Sequence, residues 1–302
     1  MLLSIALENS QLTCDIEDQL GCSNKTALNK LHELRKVDVI NATKWGNAYC
    51  WELNTNKPSL SDLEGDLTRI QLTELLTNAI EKITEYYITN FDSVELTSEI
   101  SDWIDDRSDT DNVDPHRYTT NCAVFNRFLK STLYTLHQSE NDSLKSLDPG
   151  TDWNSQFETA ENATDNHAFA PSLIDTYLPA YPESIDSLLL ALRHLVIRAE
   201  NPSGALADVY GRLISQDARR DLGQFATPNH IGQFMASWAI TDPSDTILDP
   251  GIGAGQLAYQ ALQNKMDRGC RVPMPDITGV DVDEIAITMA ATALKLADGP
   301  GS

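Results

Sequence analysis

Apolar residues recur at helical spacing over most of this chain and at strand spacing in a few short places. Leu2–Glu8 reads as a helix. A second helix over 15–20, capped by Thr13, puts Ile16 and Leu20 on one face. A third over 24–35, capped by Ser23, turns Ala27, Leu28, Leu31 and Leu34 inward, with Gly21 and Cys22 forming the turn between the two. Strand-like runs at 37–44 and Ala48–Leu53 follow, joined by Trp45, Gly46 and Asn47. Lys57-Pro58-Ser59 opens a linker. Over 61–91 the apolar residues Leu63, Leu67, Ile70, Leu76, Ile80, Ile83 and Tyr87 again keep helical spacing, and a further helical run covers 121–138 beyond an acidic break at 105–115. Residues 139–171 are rich in Asn, Asp, Ser, Thr and Gly and poor in branched apolar residues, which predicts a long, partly disordered connection. Helices are expected to resume at 185–200 and 205–215. His194, inside the first of these, reads as a core histidine and not as a catalytic base.

The stretch 222–257 carries the chemistry. A polar turn with a Thr-Pro pair leads into an amphipathic helix. A short apolar strand at 246–248 then runs directly into Asp249-Pro250-Gly251-Ile252-Gly253-Ala254-Gly255. A strand that enters glycines at alternate positions and continues as a helix is how α/β sheets cradle a nucleotide-like ligand. The glycines let the backbone approach where a Cβ would collide, and the N-terminus of the helix over 256–266 favours an anionic group. The spacing is GxGxG preceded by an acid and a proline, not the dinucleotide GxGxxG. An acid there suits a ligand with a cation beside its carboxylate, as in S-adenosyl-L-methionine (SAM). A second strand over 277–281 ends in Asp281, placed to accept ribose hydroxyls, and Asp283 reads as the N-cap of a helix over 284–296.

Four motifs in this order make the segment from about 205 to 297 resemble the N6-adenine DNA methyltransferase family, whose members include the modification subunits of restriction-modification systems. They are the run from Asp208-Val209-Tyr210 to Arg220, then Gly223-Gln224-Phe225-Ala226-Thr227-Pro228, then 249–255, then 279–283. The resemblance implies an α/β, Rossmann-like fold and SAM as cofactor. Gln224, Phe225, Thr227 and Pro228 would line its pocket. Asp249, Pro250, Gly251, Gly253 and Gly255 would surround its methionine end, and Asp281 would hold the ribose. Two positions depart mildly: Ala226 stands where an aromatic is common, and Gly251-Ile252-Gly253-Ala254 differs from the usual turn. The larger departure is the family's catalytic Asp/Asn/Ser-Pro-Pro-aromatic segment, since no Pro-Pro pair occurs in the sequence. Asn201-Pro202-Ser203-Gly204 is the nearest look-alike and reads as a turn that starts a helix. No catalytic residue is therefore assigned. The C-terminal part is expected to be a truncated methyltransferase, a fragment or one half of a split enzyme, inactive alone and needing a second polypeptide with the catalytic and target-recognition parts.

The layout of residues 1–56 resembles a winged helix-turn-helix, an α+β unit. Ser23, Asn24, Lys25, Thr26, Asn29 and Lys30 would face the major groove of double-stranded DNA, with Lys44 at the wing. The alternative use of such a unit is protein contact or dimerisation. The expected organisation is thus a winged helix at 1–56, a helical spacer at 57–138, a flexible linker at 139–171 and the methyltransferase part at 172–302.

Charge changes the picture. Acids outnumber bases 45 to 22, giving a formal charge of −23 and a pI near 4.4, where a DNA-binding protein is normally basic. The acids are spread along the chain and lysine is scarce, which suggests a halophilic source, in which salt screens the charge. Residues 1–54 are much nearer balance, with Lys25, Lys30, Arg35, Lys36 and Lys44 against seven acids. Cys14, Cys22, Cys50, Cys122 and Cys270 form no paired motif, so a reduced cytoplasmic setting is expected and a metal site is not. The apolar start is too short for a signal, and no run is long enough to span a membrane. Two alternatives stand beside adenine methylation: a DNA-binding regulator or scaffold with a degenerate methyltransferase domain, and methylation of another planar amide or amine. Arg219 and Arg220 read as a contact to phosphate or to a partner, or as a solvated turn.

Overall fold

The computed structural model describes residues 1–8, 10–46, 48–56, 67–91, 97–106, 114–179, 181–199, 201–213, 227–271 and 274–298. The N-terminal unit holds α1 (Leu2–Glu8), β1 (Gln11–Leu12), α2 (Thr13–Leu20), α3 (Asn24–Lys36), β2 (Ile40–Trp45) and β3 (Ala48–Leu53). Its sheet is antiparallel in the order β1-β3-β2, with Ile40 opposite Leu53 and Gln11 opposite Trp51. Gly21 closes α2 at φ 59°, and Ser23 Oγ accepts from Thr26 N at 3.3 Å to cap α3. Thr13 does not act as a cap. It starts α2, and its buried hydroxyl accepts from Trp51 Nε1 at 3.0 Å, while Asp15 reaches back to Leu12 N. A long-range partner outcompetes the local one here. Residues 37–39 also fall outside the expected strand, because Asp38 turns the chain at φ 56°.

The middle of the chain supplies α4 (Arg69–Asn90), α5 (Ser98–Asp105), α6 (Pro115–Gln138), α7 (Trp153–Thr164), α8 (Glu183–Ile197) and α9 (Pro202–Leu213). Helix α6 is the axle, buried continuously from Tyr118 to Leu136. A helix enclosed on all sides needs its polar groups satisfied internally. Thr84 Oγ1 donates to Asn121 Oδ1 at 2.7 Å, and Asn121 Nδ2 donates to Leu213 O at 2.9 Å. Ser131, Thr132 and Thr135 donate their hydroxyls to carbonyls of the preceding turn. Lys130 Nζ meets Asp175 Oδ2 at 2.6 Å, and Arg127 meets Asp186 at 2.8 Å.

The flexible connection expected over 139–171 is corrected. That stretch contains α7 and a 3-10 turn, His167–Phe169, and it buries Trp153, Phe157 and Phe169. Phe157 stacks on Phe169 at 6.2 Å, and Trp153 Nε1 donates to Asp148 O at 2.9 Å. The polar composition hid three aromatics that find partners across the chain. The separate spacer at 57–138 is likewise not a separate core. One apolar cluster joins Ile5 of α1 to α4, α6, α8 and α9 and continues to Leu296.

The C-terminal lobe carries α10 (Asn229–Ala239), β4 (Ile247–Asp249), α11 (Gln256–Asp267), β5 (Ile277–Gly279) and α12 (Glu284–Asp298). Strands β4 and β5 pair in parallel, Leu248 beside Thr278. Small apolar clusters join one face of this pair to its helices: Ile247 packs with Ala236, Ile240 and Ala261, and Ile277 with Leu262 and Leu294. On the other face, among the described residues, Leu248, Val280 and Val282 are exposed, and so is the stripe Ile231, Phe234, Met235 and Trp238 on α10. Helix α12 also belongs to the central core, and Trp103 Nε1 of α5 donates to Glu284 Oε1 at its start at 2.8 Å. Among the described residues no helix is long and apolar enough to cross a membrane.

Candidate cofactor site

The site is the turn that leaves β4, closed over the end of β5. Val280 N donates to Asp249 O at 2.9 Å and Ile252 N to Val280 O at 3.0 Å, so the glycine turn continues the ladder past the strand ends. Gly253 at φ 52° and Gly255 at φ 81° need the left-handed region that glycine enters freely. A Cβ on Gly255 would lie 3.0 Å from Ala290 Cα and Cβ of α12. At Gly251 and Gly253 a Cβ would meet nothing within 4 Å, so it would project into open space above the turn. The glycines therefore do different work: one allows helix packing, two leave a cradle unfilled.

Two carboxylates flank that cradle. Asp249 is buried; its Oδ1 accepts weakly from Gly251 N at 3.3 Å, and its Oδ2 has no hydrogen-bond partner among the described residues. Asp281 Oδ2 accepts from Gly253 N at 2.8 Å and its Oδ1 from Asp283 N at 3.0 Å. Each Asp281 oxygen keeps a further lone-pair direction for an incoming hydroxyl. Asp283 Oδ1 accepts from Ile285 N at 3.0 Å, the capping contact expected of it.

Two helix N-termini meet beside the turn. Pro228 precedes α10 and Gly255 precedes α11, and Asn229 Oδ1 accepts from both Gln256 Nε2 at 2.5 Å and Gln260 Nε2 at 2.8 Å. Their free backbone N–H groups and aligned dipoles favour an anion there. Asn229, Gln256 and Gln260 were not singled out from the sequence. The spacing of the two glutamines showed only a shared helix face, and no local pattern paired that face with Asn229. A cleft of about 680 Å³ opens from this junction between α10 and α11, lined by carboxamides including Asn229, Gln233, Gln260 and Asn264.

The structure brings together Asp249, Gly251, Gly253, Gly255 and Asp281. Thr227 is half-buried and Pro228 and Pro250 are exposed beside them. Gln224, Phe225, Arg219 and Arg220 lie outside the described residues. In the N-terminal unit Ser23, Asn24, Lys25, Thr26, Asn29 and Lys30 are all exposed on the start of α3, and Lys44 is exposed on β2. Ser23 and Thr26 also share a 2.9 Å hydroxyl contact, so both are partly committed to the helix start. His194 is buried, in agreement with its reading as a core residue.

A parallel strand pair with a glycine turn, an acid at each strand end and helix N-termini beside the turn is an α/β arrangement of the kind in which open sheets bind ligands. Residues 202–300 match the family model described as N-6 DNA Methylase, so this third of the chain is similar to that family. No curated protein and no solved structure matches the chain. The family's ordinary cofactor is SAM, and the residues present suit it: an unpaired buried carboxylate oxygen, a cradle that a Cβ would fill, and a site for an anion.

Proposed function

We propose that the C-terminal lobe binds SAM as the cofactor half of an adenine-N6 DNA methyltransferase. The observation that carries this reading is Asp249 Oδ2. A buried carboxylate oxygen left without a partner costs about 1–3 kcal/mol or more, and a fold with no ligand to satisfy it gains nothing from keeping it. The ammonium of the methionine moiety would meet Asp249, its carboxylate the N-termini of α10 and α11, and its ribose hydroxyls Asp281, with Thr227 and the segment around Gln224 and Phe225 closing the pocket. SAM supplies an electrophilic methyl group; this chain's own residues bind and orient it. The same observation disfavours a degenerate remnant serving only a DNA-binding regulator.

The catalytic segment would lie outside residues 1–302, on further chain or on a second polypeptide. The exposed face of β4 and β5 and the exposed stripe of α10 support this, since parallel sheets are ordinarily covered on both faces. The N-terminal unit would act as a winged helix on double-stranded DNA through Lys25, Asn29, Lys30 and Lys44. Its near balance of charge supports that assignment, and the net charge of −23 over the whole chain supports a salt-rich setting.

Calorimetric titration with SAM in molar KCl tests the cofactor reading. The wild type is expected to bind saturably. Asp249→Ala, Asp281→Ala and Gly253→Val should each weaken binding about tenfold or more, that is by at least ~1.4 kcal/mol. A folded wild type that takes up no SAM would sink the proposal.

A further inference from the structure

We propose that helix α9 is a two-point clamp on the cofactor cradle, with Ser203 and Tyr210 as positioning residues. Ser203 Oγ donates to Ala254 O, within the glycine turn, at 3.0 Å. Tyr210 OH donates to Asp283 Oδ2 at 3.0 Å, and both side chains are buried. Seven residues apart, the two points lie two turns along one face of α9, a span of about 10.5 Å. They grip the two loops whose contact shapes the cradle.

The two points converge on one interaction. Asp283, held by Tyr210, caps α12 and donates its own N–H to Asp281 Oδ1. Asp281 in turn accepts from Gly253 N, the neighbour of the carbonyl that Ser203 holds. A path of hydrogen bonds thus runs from Tyr210 through Asp283 and Asp281 to the turn, and Ser203 closes it from the other side.

The clamp is mounted on the helical body. Asp208 of α9 forms a bidentate pair with Arg69 of α4, at 2.6 and 2.7 Å. Tyr210 stacks on Phe125 of α6 at 6.1 Å, and Leu213 O accepts from Asn121. Asn201 Oδ1 accepts from Gly204 N at 2.9 Å and starts the helix. The helical body therefore sets the orientation of the acid that would hold the ribose. This rests on the reading of the lobe as a SAM site.

The test pairs two readouts on the full chain. Amide hydrogen exchange without cofactor should quicken at Gly253 and Asp283 by about tenfold in Tyr210→Phe and in Ser203→Ala. Tyr134→Phe, which loses a comparable buried bond to Lys145 O at 2.8 Å in the helical body, should leave both amides unchanged. In SAM titrations Tyr210→Phe should raise Kd about tenfold in the wild type and add almost nothing in an Asp281→Ala background, the non-additivity of residues that act through one another. Unchanged exchange at both amides, or losses that simply add, would overturn the clamp. A wild type that fails to bind SAM strikes at the cofactor reading instead, and the exchange data still decide whether α9 holds the two loops.

Discussion

Replacing Arg127 with alanine is expected to destabilise the protein by about 3–5 kcal/mol, one of the largest effects of any single change, because it strands a buried carboxylate. Arg127 Nη2 meets Asp186 Oδ1 at 2.8 Å and its Nε meets the same oxygen at 3.1 Å, while Gly150 N donates to Asp186 Oδ2 at 3.0 Å. The guanidinium lies between the rings of Trp153 and Tyr181, at 4.2 and 4.1 Å from their centroids. Burial pushes the Asp186 carboxyl up, opposed by Arg127, so losing the cation leaves a charge that the site holds poorly. The pair between Arg69 and Asp208 is the control. Its distance is shorter, 2.6 Å, but its side chains are 40% and 38% exposed. Arg69→Ala should therefore cost only up to about 1 kcal/mol. Denaturant unfolding of the two variants at one salt concentration measures the contrast. Equal losses would show that desolvation is not what makes the Arg127 pair critical.

Acid should weaken the fold in a defined window. Burial, helped by the Lys295 charge, lowers the His137 pKa from 6.5 to about 4, and burial beside Arg193 lowers that of His194 to about 4. Both are held neutral in the folded chain. Between pH 6.5 and about 4 the unfolded chain binds more protons than the folded one, so stability rises with pH across that range and is lost as pH falls through it. A shift from 6.5 to about 4 corresponds to roughly 3 kcal/mol for each group. Unfolding free energies measured from pH 7.5 down to 4 should fall accordingly. In His194→Leu the fall should shrink by the His194 share, roughly 3 kcal/mol. If His194→Leu keeps the full wild-type slope, the charging of His194 is not a cause of the acid loss.

Much of the architecture was legible from local chemistry. The Ser23 and Asp283 caps, the two short strands and the turn over 249–255 all follow from residue types acting on their own backbone over a few positions. The candidate cofactor acids were legible for the same reason, each standing at the end of an apolar strand. Long-range pairing lies outside such patterns. Residues 139–171 read as a flexible connection because Asn, Asp and Ser dominate them, yet Phe157 and Phe169 meet Tyr134 and Trp153 meets the Arg127 guanidinium, partners that no local spacing announces. Thr13 looked like a cap until Trp51, distant in sequence, claimed its hydroxyl.

What the sequence by itself determined was the inventory of the cradle: the glycines that leave room and the acids that end the strands. Only the tertiary structure decided how the cradle is held. It left Asp249 Oδ2 buried without a partner among the described residues, joined Asn229 to Gln256 and Gln260, and set Ser203 and Tyr210 of one helix against both loops. The physical reason is that capping and turn geometry are short-range and written residue by residue. Burial and convergence arise only when helices distant in sequence close around one core.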